Sequence, residues 1–289
     1  MLSVLIVNWN TREHLRACLH SIHQFSPIEP FEIIVLDNAS TDGSATMVRE
    51  KFPDVKLLAS DKNTGYAKGN NLAFAKAQGE WLLTLNPDTE FVDDSLQRSL
   101  EILRARPHAG ALATRLVHPD GATQKSVRGW PSATGMIGDL TGLGIRLPDS
   151  KLGSYRLPDF DYEKEQVAPQ PMGTFLLFRR EALAAVGDPK KPFDESFPIF
   201  FNEVDLLYRM REAGWECLYS PSVRVVHHGG ESTKQVRKSM IWESHRSLVR
   251  FLKKHYRTPL NAPGLALLAG FIYAAAFVRA RGYDAGFSA

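Results

Sequence analysis

The chain has 289 residues, of which 44% are hydrophobic and 23% charged, and its formal net charge is +3. This composition excludes a disordered, collagen-like or coiled-coil protein, and the length suits one or two folded domains. The net charge is too small to indicate nucleic-acid binding by itself. Cys18 and Cys217 are far apart and match no metal or redox motif, so we expect reduced thiols in a cytosolic protein.

Apolar runs alternate with helical patterns over the first hundred residues, and the chain opens on a strand pattern without the basic segment of a secretory signal. Strands are predicted at residues 4–7, 31–36, 55–58 and 81–85. Helices are predicted at residues 13–25, 45–52, 69–78 and 95–104. Nearly continuous apolar strands that alternate with helices indicate an α/β fold with a mainly parallel sheet covered on both faces.

The second half of the chain is less regular. Strands are predicted at residues 111–117, 174–178, 217–220 and 223–226. Helices are predicted at residues 180–186, 204–213 and 238–254, the last of them basic. Residues 129–170 are rich in Gly, Pro and Asp, and we expect a long loop or insertion there.

Polar clusters accompany the strands of the first hundred residues. They are residues 8–10, 37–44, 63–71 and 86–88. Taken singly, each cluster also fits a helix cap or a turn. Ligands of parallel sheets bind beyond the carboxyl ends of the strands, where Asp37 and Asp88 stand, so the set as a whole predicts a binding site.

Taken together, the clusters resemble glycosyltransferase family 2, and the bacterial rhamnosyltransferase-like enzymes of surface polysaccharide synthesis most closely. The matching segments are residues 7–10, 35–44, 63–71, 85–88, 201–206 and 227–230. The resemblance implies the GT-A fold, with a mostly parallel central sheet, helices on both faces and a Rossmann-like nucleotide-binding half. It implies one glycosyltransferase domain at residues 1–257, with a nucleotide-sugar half (1–115) and an acceptor half (116–257). A C-terminal apolar tail follows at residues 258–289.

The resemblance implies a pyrimidine nucleotide-diphosphate sugar as donor, either thymidine-diphosphate rhamnose or a uridine-diphosphate sugar. In the family an acid at the position of Asp37 accepts a hydrogen bond from the pyrimidine ring, which suits a carboxylate. Glycine at Gly65 permits close approach of the backbone to the ligand. The predicted donor-binding residues are Val7, Asn8, Trp9, Asp37, Asn63, Gly65, Lys68 and Asn86.

A divalent metal, Mn²⁺ or Mg²⁺, is also implied. Asp88 stands at the family's DxD position, where the metal offsets the charge of the leaving diphosphate. Asn86 replaces the first acid of that motif, so it offers an amide oxygen in place of a carboxylate. His227 matches a family histidine that completes the metal site. The alternatives are that His228 takes this role or that His227 is a buried structural imidazole.

An inverting transfer needs a general base that takes the proton of the acceptor hydroxyl. The family places an aspartate within a Glu-Asp-x-Asp pattern, and alignment of its last acid on Asp205 puts Glu203 at the base position. We therefore predict Glu203 as the base and keep Asp205 as the competing assignment. Asp205 also fits a structural role in the first turn of a helix, close to Arg209.

Two further segments are similar to family elements. Residues 172–174 resemble the segment beside the acceptor, where a small residue leaves room for sugar. The helix with Trp242, His245 and Arg246 resembles one that closes over the diphosphate, where a basic side chain can pair with phosphate. A solvated charged face is an equal interpretation of that helix.

The predicted function is therefore an inverting hexosyltransferase that uses a glycan acceptor, lipid-linked, in synthesis of the bacterial cell envelope. One alternative is a nucleotidyltransferase, which normally has a glycine-rich basic loop after the first strand. A dinucleotide oxidoreductase would need GxGxxG, which is absent here. The non-enzymatic alternative is a catalytically degenerate nucleotide-sugar-binding protein, consistent with Asn86 and Glu203.

An apolar stretch at residues 262–278 has 17 residues, the lower limit for a membrane span. Pro263, Gly264 and Gly270 interrupt it, and Arg279 follows it. This pattern favours a helix on the membrane surface, or a hydrophobic lid, over a true span. We expect a cytoplasmic protein that contacts the inner face of the plasma membrane through this tail.

Overall fold

The computed structural model describes residues 1–229 and 237–284, which form two compact units. The larger, here called the sheet unit, holds residues 1–126, 161–198 and the chain from Asn202 to residue 229. The smaller, here called the helical unit, holds residues 127–160, 199–201 and 237–284. Gly230, the end of the predicted 227–230 segment, and residues 285–289 of the tail lie outside the described residues.

The strands confirm the predicted mostly parallel α/β architecture. They are β1 (Leu2–Asn8), β2 (Phe31–Asp37), β3 (Lys56–Ala59), β4 (Trp81–Leu85), β5 (Thr89–Glu90), β6 (Ala109–Val117), β7 (Val127–Arg128), β8 (Gln166–Val167), β9 (Gln170–Pro171), β10 (Phe175–Arg179) and β11 (Glu216–His227). Nine of them form one sheet in the order β3-β2-β1-β4-β10-β6-β11-β5, with β8 paired to β11. Strand β10 runs antiparallel between β4 and β6, and β5 runs antiparallel to β11.

Helices cover this sheet and build the helical unit. They are α1 (Arg12–Gln24), α2 (Ser44–Lys51), α3 (Tyr66–Phe74), α4 (Ser95–Ala105), α5 (Ala133–Thr141), α6 (Leu143–Arg146), α7 (Arg180–Ala184), α8 (Asn202–Glu212), α9 (Arg237–Tyr256) and α10 (Ala262–Asp284). Strand β1 is buried along its whole length. Helix α1 buries Leu15, Leu19 and Ile22 in the same core, as their spacing on one helix face predicts. Both cysteines are free and buried.

The expected loop at residues 129–170 is wrong in one respect, because α5 and α6 lie within it. Ser132 caps α5 by accepting a hydrogen bond from the Gly135 amide. Two of the glycines that suggested a loop are packing positions: a Cβ on Gly138 would collide with the Leu152 carbonyl, and one on Gly153 with the Pro148 carbonyl. The two strands predicted at 217–220 and 223–226 are one strand, β11, with an irregular register between Ser220 and Arg224.

Candidate active site

The carboxyl ends of β1 and β2 bring Asn8 and Asp37 side by side. The parallel register pairs the two residues directly, and both side chains are buried. Asn8 Nδ2 donates to Asp37 Oδ1 at 3.0 Å, and the Ser40 amide donates to Asp37 Oδ2 at 3.0 Å. Each carboxylate oxygen keeps a further lone pair for a ligand. The hydrogen bonds hold Asp37 in one orientation.

The loop at residues 63–65 is held over this strand end by Asn38. Asn38 Nδ2 donates to Asn63 Oδ1 at 2.9 Å, and Asn38 Oδ1 accepts from the Thr64 amide at 2.8 Å. Sequence reasoning placed Asn38 in the motif without this role, although a buried amide beside a strand-end acid suggests one. Gly65 has φ +84°, and a Cβ there would lie 2.9 Å from the Pro198 carbonyl oxygen. This position therefore requires glycine.

The other predicted donor residues lie around the same strand end with different exposure. Val7 is buried, and a Cβ on Gly69 of α3 would lie 3.0 Å from it, so α3 packs closely on β1. Trp9 is partly buried, whereas Lys68 is exposed on α3. Helix α3, which carries Lys68, is therefore held close to the strand that ends at Asn8.

Tyr66 connects two segments that sequence reasoning treated separately. Its hydroxyl donates to Asn86 Oδ1 at 3.2 Å and lies 3.4 Å from the Gly173 carbonyl oxygen. The backbone N–H of Asn86 donates to the Thr174 carbonyl at 2.9 Å. Residues 86–88 and the 172–174 segment are therefore brought together, with Tyr66 between them.

Asp88 and His227 meet because β5 pairs antiparallel with the end of β11, with His227 opposite Thr89. Both side chains are about 5% exposed, and Asp88 Oδ1 lies 3.6 Å from His227 Nε2. The opposite ring nitrogen, Nδ1, is 2.9 Å from Gln124 Oε1, which fixes the imidazole. Sequence reasoning missed Gln124, since its approach depends on the fold.

A carboxylate and an imidazole are suitable ligands for Mn²⁺ or a related divalent ion. Among residues 1–229 and 237–284, no three His, Cys, Asp or Glu side chains come together as a metal site. Asp88 and His227, 3.6 Å apart, are one carboxylate and one imidazole that the fold does bring together. His228, the alternative, instead lies 2.7 Å from Glu90 Oε1 and contacts the His14 ring.

Glu203 begins the first turn of α8 and faces the 172–174 segment. A Cβ on Gly173 would lie 3.2 Å from Glu203 Cγ, so glycine leaves room beside the carboxylate. Burial raises the pKa of Glu203 from 4.5 to about 7. The pKa of Tyr66 is also raised, first by burial and then by the negative charges of Glu203 and Asp88. Tyr66 therefore lies near both acids.

Asp205 has a different environment. Its side chain is fully buried, and its Oδ2 accepts from Arg209 Nε at 2.9 Å, one helical turn later. Arg209 also donates to the carbonyls of Val186 and Pro192 at 3.2 and 2.6 Å. This network ties α8 to the chain at residues 186–192.

Trp242, His245 and Arg246 lie on α9 in the helical unit. His245 is buried and lines a cavity of about 160 Å³ within that unit, with Met136, Leu248 and Arg279. Its Nδ1 is 2.7 Å from the Ile241 carbonyl oxygen, and burial lowers its pKa. Arg246 is exposed, and Trp242 is partly buried.

Solved structures have similar folds. A mannosyltransferase from Pyrobaculum calidifontis, in complex with GDP-Man and Mn²⁺, superposes with a TM-score of 0.59 at 19% identity and covers 100% of this chain and 76% of that one. Residues 1–349 of TarS from S. aureus give a TM-score of 0.54 at 15% identity, covering 96% and 82%. At these identities the likeness concerns the fold, and it confirms the predicted GT-A architecture.

The sequence comparisons extend over most of the chain. An N-acetylglucosaminyl-diphospho-decaprenol L-rhamnosyltransferase of Mycobacterium tuberculosis is 30% identical over 282 residues, 91% of this chain and 87% of the relative. An O-antigen biosynthesis protein of Myxococcus xanthus is 26% identical, over 80% of this chain and 18% of the relative. The model of glycosyl transferase family 2 matches residues 3–187. The chain therefore belongs to glycosyl transferase family 2 and is a glycosyltransferase of the kind that builds surface polysaccharides.

Proposed function

We propose that the protein transfers a sugar, with inversion, from a pyrimidine nucleotide-diphosphate donor to a hydroxyl of a lipid-linked glycan. The observation that carries the proposal is the environment of Glu203. Its side chain lies beside the space left by Gly173, and its pKa is about 7. A carboxylate with a pKa near neutrality can take a proton and still be ionised in a large fraction of molecules. This property suits a general base in a single displacement at the anomeric carbon.

The choice of Glu203 over Asp205 rests on their partners. Asp205 is buried and forms an ion pair with Arg209, which occupies one of its carboxylate oxygens. Glu203 has a partly buried side chain next to Gly173. We therefore assign proton transfer to Glu203 and a positioning role in α8 to Asp205.

For the donor we propose a pyrimidine base held by Asp37 and the Asn8–Trp9 backbone, beneath the loop that contains Asn63 and Gly65. The fixed Asp37 carboxylate supports this, because it can accept a hydrogen bond from a ring N–H. Since the Mycobacterium tuberculosis relative is an L-rhamnosyltransferase, thymidine-diphosphate rhamnose is the first donor to test. A uridine-diphosphate sugar is the second.

We propose that Asp88 and His227 hold a divalent cation, Mn²⁺ or Mg²⁺, with Gln124 orienting the imidazole. The donor atoms fit: a buried carboxylate and a buried imidazole lie 3.6 Å apart and leave positions for diphosphate oxygens. When bound, the cation offsets charge on the leaving nucleotide diphosphate. Asn86 is committed to Tyr66 through its amide oxygen, so we assign it to the donor rather than the cation.

We propose a lipid-linked acceptor because the same relative's name specifies a diphospho-decaprenol substrate. Such an acceptor places the enzyme at the inner face of the plasma membrane, with contact through the tail at residues 258–289. We retain residues 1–115 as the donor half and residues 116–257 as the acceptor half.

A binding protein without turnover is the second candidate, favoured by asparagine at Asn86.

The test is transfer from a panel of thymidine- and uridine-diphosphate sugars, with Mn²⁺, to a GlcNAc-diphospho-lipid, read by mass spectrometry. We expect a glycosylated lipid with one donor and the inverted anomeric configuration by NMR. Donor binding by calorimetry without turnover on any acceptor would favour the binding protein. Neither binding nor turnover across the panel would contradict the proposal.

A further inference from the structure

Helix α10 is apolar around its whole circumference, but only one face of it is covered. Its inner face, Leu265, Leu268, Ala269 and Ile272, packs with Met136, Val249 and Leu252 in the core of the helical unit. Its outer face is Leu267, Phe271, Ala274 and Val278, a helical stripe on the opposite side. Leu267, Phe271 and Val278 are 66%, 61% and 68% exposed.

An apolar stripe of this kind marks an interaction surface, because a helix that is apolar on every side is normally buried in protein or lipid. By length and composition the segment Ala262–Gly282, with a mean hydropathy of 1.6, is long enough to cross a membrane. That criterion is weak evidence by itself, since core helices of soluble proteins also meet it. The packing of α10 decides whether the helix crosses a membrane or lies along its surface.

A membrane span is disfavoured by the neighbour on which α10 packs. Helix α9 shares its core with α10 and exposes Lys253 and Lys254. Carrying these lysines into hydrocarbon is costly, and leaving them outside would require α10 to separate from its own core. The geometry therefore favours α10 lying along a surface, with the outer face directed away from the unit.

The sequence of this region and one cation beside the stripe identify the kind of surface. Between Glu243 and Asp284 the sequence has no acidic residue and seven basic ones. They are Arg246, Arg250, Lys253, Lys254, Arg257, Arg279 and Arg281. Arg281 lies over the Phe277 ring at 4.3 Å, which places a cation beside the apolar stripe near the end of the helix. An exposed apolar helix face with a cation beside it, within a basic stretch of sequence, is typical of helices that bind anionic lipid.

We propose that the outer face of α10 docks the protein on an anionic lipid bilayer, parallel to its surface and without crossing it. The inference deepens the proposed function, on which its purpose rests: a docked enzyme meets a lipid-linked acceptor by diffusion in two dimensions. The occupant is the bilayer itself, and self-association through the same face is an outcome that the test can reveal.

The experiment is flotation of the full chain with vesicles of phosphatidylglycerol and phosphatidylcholine, compared with phosphatidylcholine alone. We expect binding to the anionic vesicles, weakened by salt and released by alkaline carbonate. The triple substitution Leu267→Gln, Phe271→Gln and Val278→Gln should lower the apparent vesicle affinity about tenfold or more. A matched control, Ile28→Gln with Val92→Gln, removes exposed apolar side chains from the sheet unit and should bind as the parent chain does.

A second variant tests the charge: Lys253→Glu with Lys254→Glu should abolish the preference for anionic vesicles. Equal binding to both vesicles that resists carbonate would overturn the proposal in favour of a span. Absence of vesicle binding, with a dimer in light scattering that the triple substitution dissociates, would overturn it in favour of self-association. Circular dichroism checks that each variant is folded.

The flotation assay contains neither donor nor acceptor, so its result is independent of glycosyl transfer. Vesicle binding by a chain that transfers no sugar would refute the proposed function alone. Transfer to a short soluble acceptor by a chain that does not bind vesicles would refute the docking alone. The triple variant should retain transfer to that soluble acceptor.

Discussion

Glu203 is the residue at which the proposed catalytic role and stability are opposed. Its raised pKa means that the folded protein holds the proton more tightly than the unfolded chain does. Between the ordinary pKa of 4.5 and the folded value of about 7, the folded state binds more protons, so this residue's contribution to stability falls as the pH rises. The ionised form of Glu203 therefore destabilises the folded protein, and the proposed proton transfer requires that form.

Substitution Glu203→Gln should lower kcat about 100-fold or more, because the base is lost, with little change in donor affinity. In the parent protein kcat/KM should rise with pH to a plateau above about 7, as Glu203 ionises. The variant should melt no lower than the parent at pH 8, since it removes a buried charge. A variant that keeps full activity, or loses activity and stability together, would contradict the assignment.

We expect Tyr66 to act as a positioning residue, because it lies between Asn86 and Gly173. Tyr66→Phe removes the hydrogen bond to Asn86 and the contact with the Gly173 carbonyl. We expect kcat to fall about tenfold with a smaller change in donor KM, and a stability loss of about 1 kcal/mol. Tyr219→Phe, which loses a 3.0 Å bond to the Tyr162 carbonyl, is the matched control. Equal kinetic effects in both variants would leave Tyr66 with a structural role only.

The proposed cation site makes a graded prediction. His227→Ala should abolish saturable Mn²⁺ binding, followed by electron paramagnetic resonance in the presence of nucleoside diphosphate. Gln124→Ala, which removes the partner of the His227 imidazole, should weaken Mn²⁺ binding by about tenfold to 100-fold. His228→Ala should leave it unchanged, because that ring is paired with Glu90. Equal losses for His227 and His228 would reopen the choice between them.

At the level of elements, the loop at residues 63–65 depends on its glycine. Gly65→Ala adds a Cβ 2.9 Å from the Pro198 carbonyl and strains a backbone with φ +84°. We expect the displaced loop to lower kcat/KM for the donor about tenfold or more. Gly121→Ala is the control, since φ is +86° there but no atom lies within 4 Å of its Cβ. It should cost about 1–2 kcal/mol in stability and leave the kinetics intact.

The fold of residues 1–115 was predictable because local signals agree there. Strands β1, β2 and β4 are largely apolar; β1 and β2 end at Asn8 and Asp37, and Asn86 follows β4. The 129–170 segment was not predictable, since its glycines signal close packing only when the partner backbone is known. The meeting of Asp88 with His227 requires the antiparallel pairing of β5 with β11, which joins residues far apart in sequence. Gln124 was missed for the same reason.

For the whole molecule, the C-terminal segment combines a packing role with the proposed membrane contact, and one experiment can separate the two. The inner face of α10 belongs to the core of the helical unit, whereas Leu267, Phe271 and Val278 of its outer face are exposed. A chain that stops after Arg257 therefore loses more than a membrane contact. It uncovers Val249 and Leu252, which pack on α10 in the intact protein.

Truncation after Arg257 should lower the thermal stability of the helical unit and promote aggregation. Leu265, Leu268 and Ile272 each contribute about 1.5–3 kcal/mol when buried, so the expected loss is several kcal/mol. The outer-face triple variant, with all three buried residues kept, should melt within about 2 °C of the parent in differential scanning calorimetry. If the truncated chain melts as the parent does, α10 is dispensable for the fold. In that case, loss of membrane binding on truncation would report the outer face alone. If the truncated chain is destabilised instead, loss of membrane binding cannot be separated from unfolding.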